Sequence, residues 1–160
     1  MVWSVYGSRW ESGELANTDQ FQVIKPVEDI VLKAVRTWII IYNAPTFSNL
    51  TMKIYSLDKD ATADAPGVLL ASSTTTWNIA DLTTEDNAVK EIYFEFTDFS
   101  MNGADEYCFV MAADSYSYLE TSHLSWRKAW PDPVYTAAYT PTTPSMGRAP
   151  FELYLVGADF

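Results

Sequence analysis

Residues 89–96 read VKEIYFEF, and this stretch decides which class of fold the chain is expected to adopt. Its apolar residues Ile92, Phe94 and Phe96 alternate with glutamate and tyrosine. Successive side chains of a strand point to opposite faces of a sheet, so this alternation is typical of a strand with one buried face. We therefore predict a half-buried β-strand whose Ile92, Phe94 and Phe96 face the core.

Similar patterns occur on both sides of this stretch. Leu50, Met52 and Ile54 alternate with polar neighbours, and a run over residues 28–43 passes from alternation into the continuous apolar WIIIY. In that run Ile30, Leu32 and Ala34 are expected on one face, and Val31, Lys33 and Val35 on the other. Further strands are predicted at residues 21–24, 68–71, 107–113, 116–126, 133–139 and 151–156. Beyond residues 89–96, the core is expected to contain Phe109, Met111, Phe151, Leu153 and Leu155.

Turn residues such as Pro66-Gly67 and Asn102-Gly103 separate these strands. A count of about eight to ten strands with frequent turns is typical of a sandwich or jelly roll. Residues 79–86 are the one stretch expected to form a short helical turn, and less than about a tenth of the chain should be helical. We therefore predict an all-β fold, an antiparallel β-sandwich or jelly roll, with residues 19–160 forming a single domain.

Residues 1–18 differ in character and are expected to form an extended N-terminal arm. Trp3, Tyr6 and Trp10 are interleaved with serine, glycine and glutamate, and neither a strand nor a helix period is sustained. Three large aromatic side chains are costly to leave in water, which leaves two alternatives. Either the arm folds back over its own domain, or it docks on a neighbouring protein as an assembly contact.

The charge balance limits the classes of partner. Ten Lys and Arg oppose 21 Asp and Glu, for a net charge of -11. Such a field repels nucleic acids and anionic lipid, so neither a nucleic acid nor a membrane is an expected partner. The first ten residues lack a signal-peptide pattern, and WIIIY is too short to span a bilayer. The acidity fits either simple solubility or a partner surface that bears Lys and Arg.

The chain contains few of the residues that catalysis usually requires. It has one histidine, His123, and one cysteine, Cys108, so a histidine-based triad, a Cys/His metal site and an internal disulfide are not expected. Cys108 is expected to be a small buried apolar residue. Glu91 and Glu95 would stand roughly 13 Å apart on one extended strand, too far for a glycosidase carboxylate pair. We therefore predict a non-enzymatic protein without a cofactor.

Asp58, Asp60 and Asp64 are the weak candidates for a metal site. They occupy the first, third and seventh positions of a polar loop, a spacing that can bring carboxylate oxygens around a hard cation. The loop lacks the glycine at the sixth position and the acidic residue at the twelfth that an EF-hand uses. A solvated loop is therefore the favoured interpretation, and no metal is predicted.

The order of three segments resembles a known family. LTMKIYSLDKDATADAPGVLLASST (residues 50–74) gives a strand, a polar loop and a Pro-Gly turn before the next strand. EIYFEFTDFSMNGADEYCFVMAAD (residues 91–114) gives two strands, and FELYLVG (residues 151–157) gives the last one. This order is similar to jelly-roll sandwiches of the carbohydrate-binding-module type, and the resemblance covers about residues 19–158. A self-contained acidic domain of this size also resembles the decoration, or cement, proteins of tailed-phage capsids.

The resemblance implies a virion surface protein whose partner is the major capsid protein or another shell subunit on the capsid exterior. Self-association on the lattice is left open. A carbohydrate-binding module is the alternative, with a glycan as ligand, and a small glycoside-active enzyme is a third. Aromatic residues of the C-terminal third are the candidates for stacking on sugar rings or for filling a protein interface. They are Tyr116, Tyr118, Trp126, Trp130, Tyr135 and Tyr139.

Overall fold

The computed structural model describes residues 2–5, 12–14, 20–26, 28–43, 45–46, 48–59, 65–78, 80–82, 89–116, 122–127, 139–141 and 153–157. These residues contain strands and turns but no helix. The strands are β1 (Val2–Val5), β2 (Ser12–Glu14), β3 (Gln20–Pro26), β4 (Ile30–Tyr42), β5 (Asn49–Asp58), β6 (Ala65–Ser72), β7 (Val89–Met101), β8 (Tyr107–Asp114), β9 (His123–Arg127), β10 (Tyr139–Pro141) and β11 (Leu153–Gly157). The prediction of an all-β fold is confirmed.

One sheet has six strands and is built around β4. The antiparallel partner β7 runs along one edge of β4 for almost its whole length. The other edge of β4 is shared by β11, which pairs with residues 32–37, and β9, which pairs with residues 39–42. In turn β1 pairs with β11 and β2 pairs with β9, so the N-terminal strands form the outermost row of this sheet.

The second sheet has five antiparallel strands in the order β10-β3-β8-β5-β6. After β6 the chain crosses towards the first sheet, and residues 73–77 bond to both sheets. The amide of Ser73 donates to the carbonyl of Met52 in β5 at 2.8 Å, whereas the amide of Thr74 donates to the carbonyl of Glu95 in β7 at 2.7 Å. This crossing segment therefore holds the two sheets together along one side.

The two sheets contribute apolar faces to a single core, as in a β-sandwich. The expected alternation is confirmed in β5, where Leu50, Met52 and Ile54 are fully buried. The core positions predicted elsewhere are also buried: Ile92, Phe94, Phe96, Phe109, Met111 and Leu155. The predicted core positions at Phe151 and at the side chain of Leu153 lie outside the part of the chain that the structure describes.

One prediction about β4 is wrong in its second half. Ile30 and Leu32 face the core as expected, but Val35 is fully buried and Ala34 is only half-buried. The pairing with β7 is irregular at this point: Leu32 lies opposite Phe99 and Ala34 opposite Glu95, so β7 spans this interval with two more residues than β4. Lys33 and Ala34 are both half-buried, so the alternation of β4 is interrupted between them and its inner face continues at odd-numbered positions.

Some predicted elements begin or end elsewhere. Of the strand expected over residues 116–126 the structure gives β9 from His123 onward, and of the stretch predicted as 133–139 it gives β10 at Tyr139–Pro141; residues 117–121 and 133–138 lie outside the described residues. Residues 80–82 form a turn and bend, whereas the rest of the expected helical turn lies outside the described residues. Within the segment predicted as an arm, the structure describes two short strands paired to the six-stranded sheet.

Candidate binding surface

The structure describes little of the predicted arm contact. The backbone of Trp3 lies in β1, where it is opposite Leu155 of β11. Tyr6 and Trp10 lie outside the described residues. Pairing of β1 and β2 with the sheet brings the backbone of the N-terminal segment onto its own domain. Whether the aromatic side chains also reach a neighbouring protein stays a prediction.

The six aromatic candidates of the C-terminal third do not form one described surface. Tyr116 is half-buried against the core, and its hydroxyl accepts a hydrogen bond from the amide of Leu124 at 3.0 Å. The backbone of Trp126 lies in β9 of the six-stranded sheet, whereas that of Tyr139 lies in β10 of the other sheet. Tyr118, Trp130 and Tyr135 lie outside the described residues. The one described side chain of this set, Tyr116, therefore contributes to the fold of its own chain.

The outer face of the six-stranded sheet carries aromatic and aliphatic side chains that the sequence analysis did not single out. Because Ile39 and Ile41 of β4 are buried, the residues that alternate with them, Trp38, Ile40 and Tyr42, belong to the opposite face. All three are half-buried. In the continuous run WIIIY there is no polar residue to reveal this alternation, so the sequence could not show which side chains face outward.

The neighbouring strand β7 completes this surface. Tyr93 is 42% exposed and Val89 is 47% exposed, and pairing places Val89 beside Ile40 of β4. Glu91 stands beside Trp38 in the same register and is exposed. We use the name aromatic patch for Trp38, Ile40, Val89 and Tyr93. It is an apolar surface on the outside of the sandwich, flanked by exposed carboxylates.

Charged groups organise the aromatic patch. The guanidinium carbon of Arg36 lies 5.4 Å from the ring centroid of Trp38, which is within the range of a cation–π contact. In β7, two residues after Tyr93, the carboxylate of Glu95 accepts a hydrogen bond from the hydroxyl of Thr75 at 3.4 Å. The patch thus combines rings available for stacking with carboxylates available to a cation or a hydroxyl group. Such a surface can bind but holds no nucleophile and base in contact.

A second exposed apolar surface lies on β6, at the end of the five-stranded sheet. Val68 is 69% exposed, Leu69 is 49% exposed and Leu70 is 44% exposed. Side chains of consecutive strand residues lie on opposite faces, so β6 presents apolar groups to water on both of its faces. We use the name β6 edge for Val68, Leu69 and Leu70. This surface is separate from the aromatic patch, which belongs to the other sheet.

The described residues offer little for catalysis or metal binding. They contain no group of three or more His, Cys, Asp and Glu side chains placed to hold a metal ion. Of the aspartates considered for a cation, only Asp58 is described, at the end of β5, and Asp60 and Asp64 lie outside. The adjacent Lys59 forms an ion pair with Glu106 at 2.7 Å, and this contact raises the pKa of the Lys59 ammonium group. Cys108 is buried, as predicted.

A hollow of about 320 Å³ lies where β4 begins and β7 ends. Its lining includes Asp29, Ile30, Met101 and Asn102. The Asp29 carboxylate accepts a hydrogen bond from the amide of Gly103 at 2.9 Å. This bond links the segment before β4 to the turn after β7. Among the described residues that line this hollow, Asp29 is the one acidic group, and they provide no carboxylate pair for hydrolysis.

No protein-family model, curated protein or solved structure matches the chain. Among the described residues, no helix is long and apolar enough to cross a membrane. Inference about function therefore depends on the chemistry of the described surfaces.

Proposed function

We propose that this protein is a non-enzymatic decoration, or cement, protein that binds the exterior of a phage capsid and stabilises its lattice. The single observation that carries the proposal is the aromatic patch: Tyr93 and Val89 are exposed beside Trp38 and Ile40 on the outer face of the six-stranded sheet. An apolar surface rimmed by charged groups is typical of a protein interface. The proposed fold is a jelly-roll sandwich of the carbohydrate-binding-module type with an N-terminal arm.

The mechanism of binding is burial of the aromatic patch against a shell subunit. Aromatic side chains supply much of the energy of such contacts, and Tyr93 combines a ring with a hydroxyl that tolerates water. The exposed carboxylates of Glu91 and Glu95 would face Lys or Arg on the shell and fix the orientation. A net charge of -11 makes this attraction dependent on salt.

The position of the N-terminal strands also supports the six-stranded sheet as the part of the protein that contacts the shell. Both β1 and β2 belong to the sheet that carries the aromatic patch, and they form its outermost row. An arm that leaves this row would meet a neighbouring subunit at the border of the sheet. Several copies on a repeating lattice would then bind more tightly than one, because each further contact becomes effectively intramolecular.

The test is assembly with a shell protein encoded near the gene for this chain. The two proteins would be co-expressed, and density on the outside of the shells would be sought by electron cryo-microscopy. Tyr93→Ser should abolish the added density, whereas Leu69→Ser on the other sheet is the control and should retain it. Unchanged binding by Tyr93→Ser would remove the aromatic patch from the proposal, and bare shells with the unmodified protein would overturn the proposal itself.

Removal of single charges provides a second experiment on the same proposal. Glu91→Gln and Glu28→Gln each remove one exposed carboxylate, but only Glu91 lies beside the aromatic patch. Binding to shells should weaken and become less sensitive to salt for Glu91→Gln alone, because only this variant loses a charge at the interface. Equal effects of both substitutions would indicate that shell binding depends on the net charge of the protein and not on a contact made by Glu91.

Glycan recognition is the second candidate function, and the same surface favours it. Exposed tyrosine and tryptophan rings on a sheet face can stack on sugar rings, and Glu91 and Arg36 flank Trp38 with groups that bond to hydroxyls. A glycan array separates the two functions. Sugar binding that Tyr93→Ser abolishes, in a protein that leaves shells bare, would favour a carbohydrate-binding module.

A further inference from the structure

The β6 edge is the most exposed large apolar surface among the described residues. Val68, Leu69 and Leu70 are three of the five exposed large hydrophobic side chains among the described residues, and they are consecutive in one strand. Within the described part of the chain, β6 pairs with β5 on one side and is the last strand of its sheet. A terminal strand presents main-chain amides and carbonyls that can pair with another strand.

The geometry of β6 keeps its inner side occupied and fixed. The amide of Val68 donates to the hydroxyl of Ser56 in β5 at 2.9 Å. Register shifts on β5 on both sides of Tyr55 bend this pair of strands. Pairing with a further strand must therefore take place at the opposite edge of β6, where the three apolar side chains flank the backbone.

The charge distribution identifies the kind of partner. Residues 65–78 contain no Asp, Glu, Lys or Arg, in a chain with 21 acidic residues and a net charge of -11. A basic protein is expected to bind a surface that bears carboxylates, such as the one around the aromatic patch. A contact with an equally acidic molecule needs a surface without them, because like charges at an interface are repulsive.

We propose that β6 is a self-association site, at which β6 of one copy pairs antiparallel with β6 of a second copy about a twofold axis. The two five-stranded sheets then join edge to edge. Such a contact is self-complementary, so one apolar strand serves both partners. This inference concerns the free protein and does not depend on the proposed capsid or glycan function.

The strength of association and its response to salt follow from the same features. A contact between two edge strands is small, so dimerisation in the micromolar range is expected. Salt screens the repulsion between two bodies of charge -11 but does not weaken an uncharged contact. Dimerisation should therefore strengthen as salt is added, the opposite of what is expected for binding to a basic shell.

Sedimentation equilibrium over a wide range of protein concentration tests the proposal. Val68→Asp adds a carboxylate to the paired edge of each copy and should raise the dissociation constant at least about tenfold. Val89→Asp is the matched control, since it makes the same change at an exposed valine of the other sheet, and it should dimerise like the unmodified protein. Both positions are exposed, so melting temperatures should change little.

Cross-linking gives a second readout. Val68→Cys should yield a disulfide-linked dimer on mild oxidation, whereas Val89→Cys should not. A monomer at all concentrations, or a Val68→Asp variant that dimerises as tightly as the unmodified protein, would overturn the proposal. Dimerisation through β6 together with bare shells would leave this inference standing and overturn the capsid function alone.

Discussion

The indole amine of Trp77 donates a hydrogen bond to the main-chain carbonyl of Tyr93 at 2.7 Å. Through its own backbone Trp77 also exchanges two hydrogen bonds with Leu50 of the opposite sheet, at 3.0 and 2.6 Å. One residue of the crossing segment thus bonds to β7 with its side chain and to β5 with its main chain. Because Tyr93 belongs to the aromatic patch, Trp77 also fixes the backbone from which this surface projects.

Replacement of Trp77 should reveal how much this bond stabilises the sandwich. Trp77→Phe keeps a ring against the core but loses the bond to the Tyr93 carbonyl, and should lower the free energy of unfolding by about 1 kcal/mol. Trp77→Ala also loses the packing and should lower it by about 3 kcal/mol. Urea unfolding measures both. Equal stability of Trp77→Phe and the unmodified protein would show that water replaces the bond at no cost.

The alternation in β7 makes a sharp pair of predictions. Phe94 is completely buried, whereas its neighbour Tyr93 is 42% exposed. Phe94→Ala leaves a cavity between the sheets and should lower the free energy of unfolding by about 3–5 kcal/mol. Tyr93→Ala should cost less than about 1 kcal/mol, because surface substitutions have small effects. Similar losses for both variants would contradict the assignment of the inner and outer faces.

These two residues also show why this part of the fold could be predicted from sequence. In β7 the outward positions 91, 93 and 95 are glutamate and tyrosine, so the alternation over this stretch is visible in the residue types. In β4 the outward residues Trp38 and Ile40 are as apolar as the inward ones. The two faces of β4 also exchange at the irregularity between Lys33 and Ala34, and a single sequence gives no sign of it.

The candidate surfaces were harder to predict than the strands. The aromatic patch joins residues of β4 and β7 that lie about fifty positions apart, and their pairing depends on packing across the whole sheet. Aromatic residues with polar neighbours, such as Tyr116, instead resemble a binding surface in the sequence, but the structure places Tyr116 against the core. The exposure of the β6 edge also could not be predicted from the sequence, because an apolar run such as VLLA is usually buried.

Two glycines provide a matched test of backbone packing. A Cβ atom on Gly103 would lie 2.8 Å from the main chain of Glu28, which cannot move without displacing the turn between β3 and β4. On Gly67 the nearest atom is the side-chain oxygen of Ser56 at 2.7 Å, which can rotate away at the cost of its bond to the Val68 amide, and the nearest main-chain atom, the Ser56 carbonyl oxygen, is at 3.2 Å. Gly103→Ala should therefore lower the free energy of unfolding by about 1–3 kcal/mol, and Gly67→Ala by less. Thermal unfolding of the two variants side by side provides the measurement, and the reverse order would contradict this account.

Tyr107 should make the protein sensitive to alkaline pH. Its ring packs edge-on against Phe99 with centroids 6.0 Å apart, and its hydroxyl accepts a hydrogen bond from the amide of Asn102 at 2.8 Å. Burial raises the pKa of the Tyr107 phenol above its ordinary value of 10.0. A phenol with a raised pKa in the folded state holds its proton more tightly there than in the unfolded chain. Its contribution to stability is therefore present below pH 10 and is lost as the pH rises through the raised value.

Tyr107→Phe removes this titration. The variant should be less stable than the unmodified protein by about 1 kcal/mol at neutral pH, because the Asn102 amide loses its acceptor. The difference should shrink as the pH is raised above 10, since only the unmodified protein then has to hold the phenol in its neutral form. Chemical unfolding at several pH values is the measurement, with the exposed Tyr93→Phe as control. A difference that stays constant with pH would show that the Tyr107 phenol has no influence on alkaline unfolding.

Deletion of residues 1–12 separates the two roles considered for the N-terminal segment. β1 pairs with residues 153–156 of β11, so its removal exposes the outer edge of β11, and the melting temperature should fall. The substitution Trp3→Ser keeps the backbone of β1 and serves as the matched variant. If the segment only completes the sheet, the deletion is destabilising and Trp3→Ser leaves binding to shells unchanged. Loss of shell binding in Trp3→Ser, with an unchanged melting temperature, would instead assign the Trp3 ring to the interface. A deletion variant that melts like the intact protein would contradict the pairing of β1 with β11.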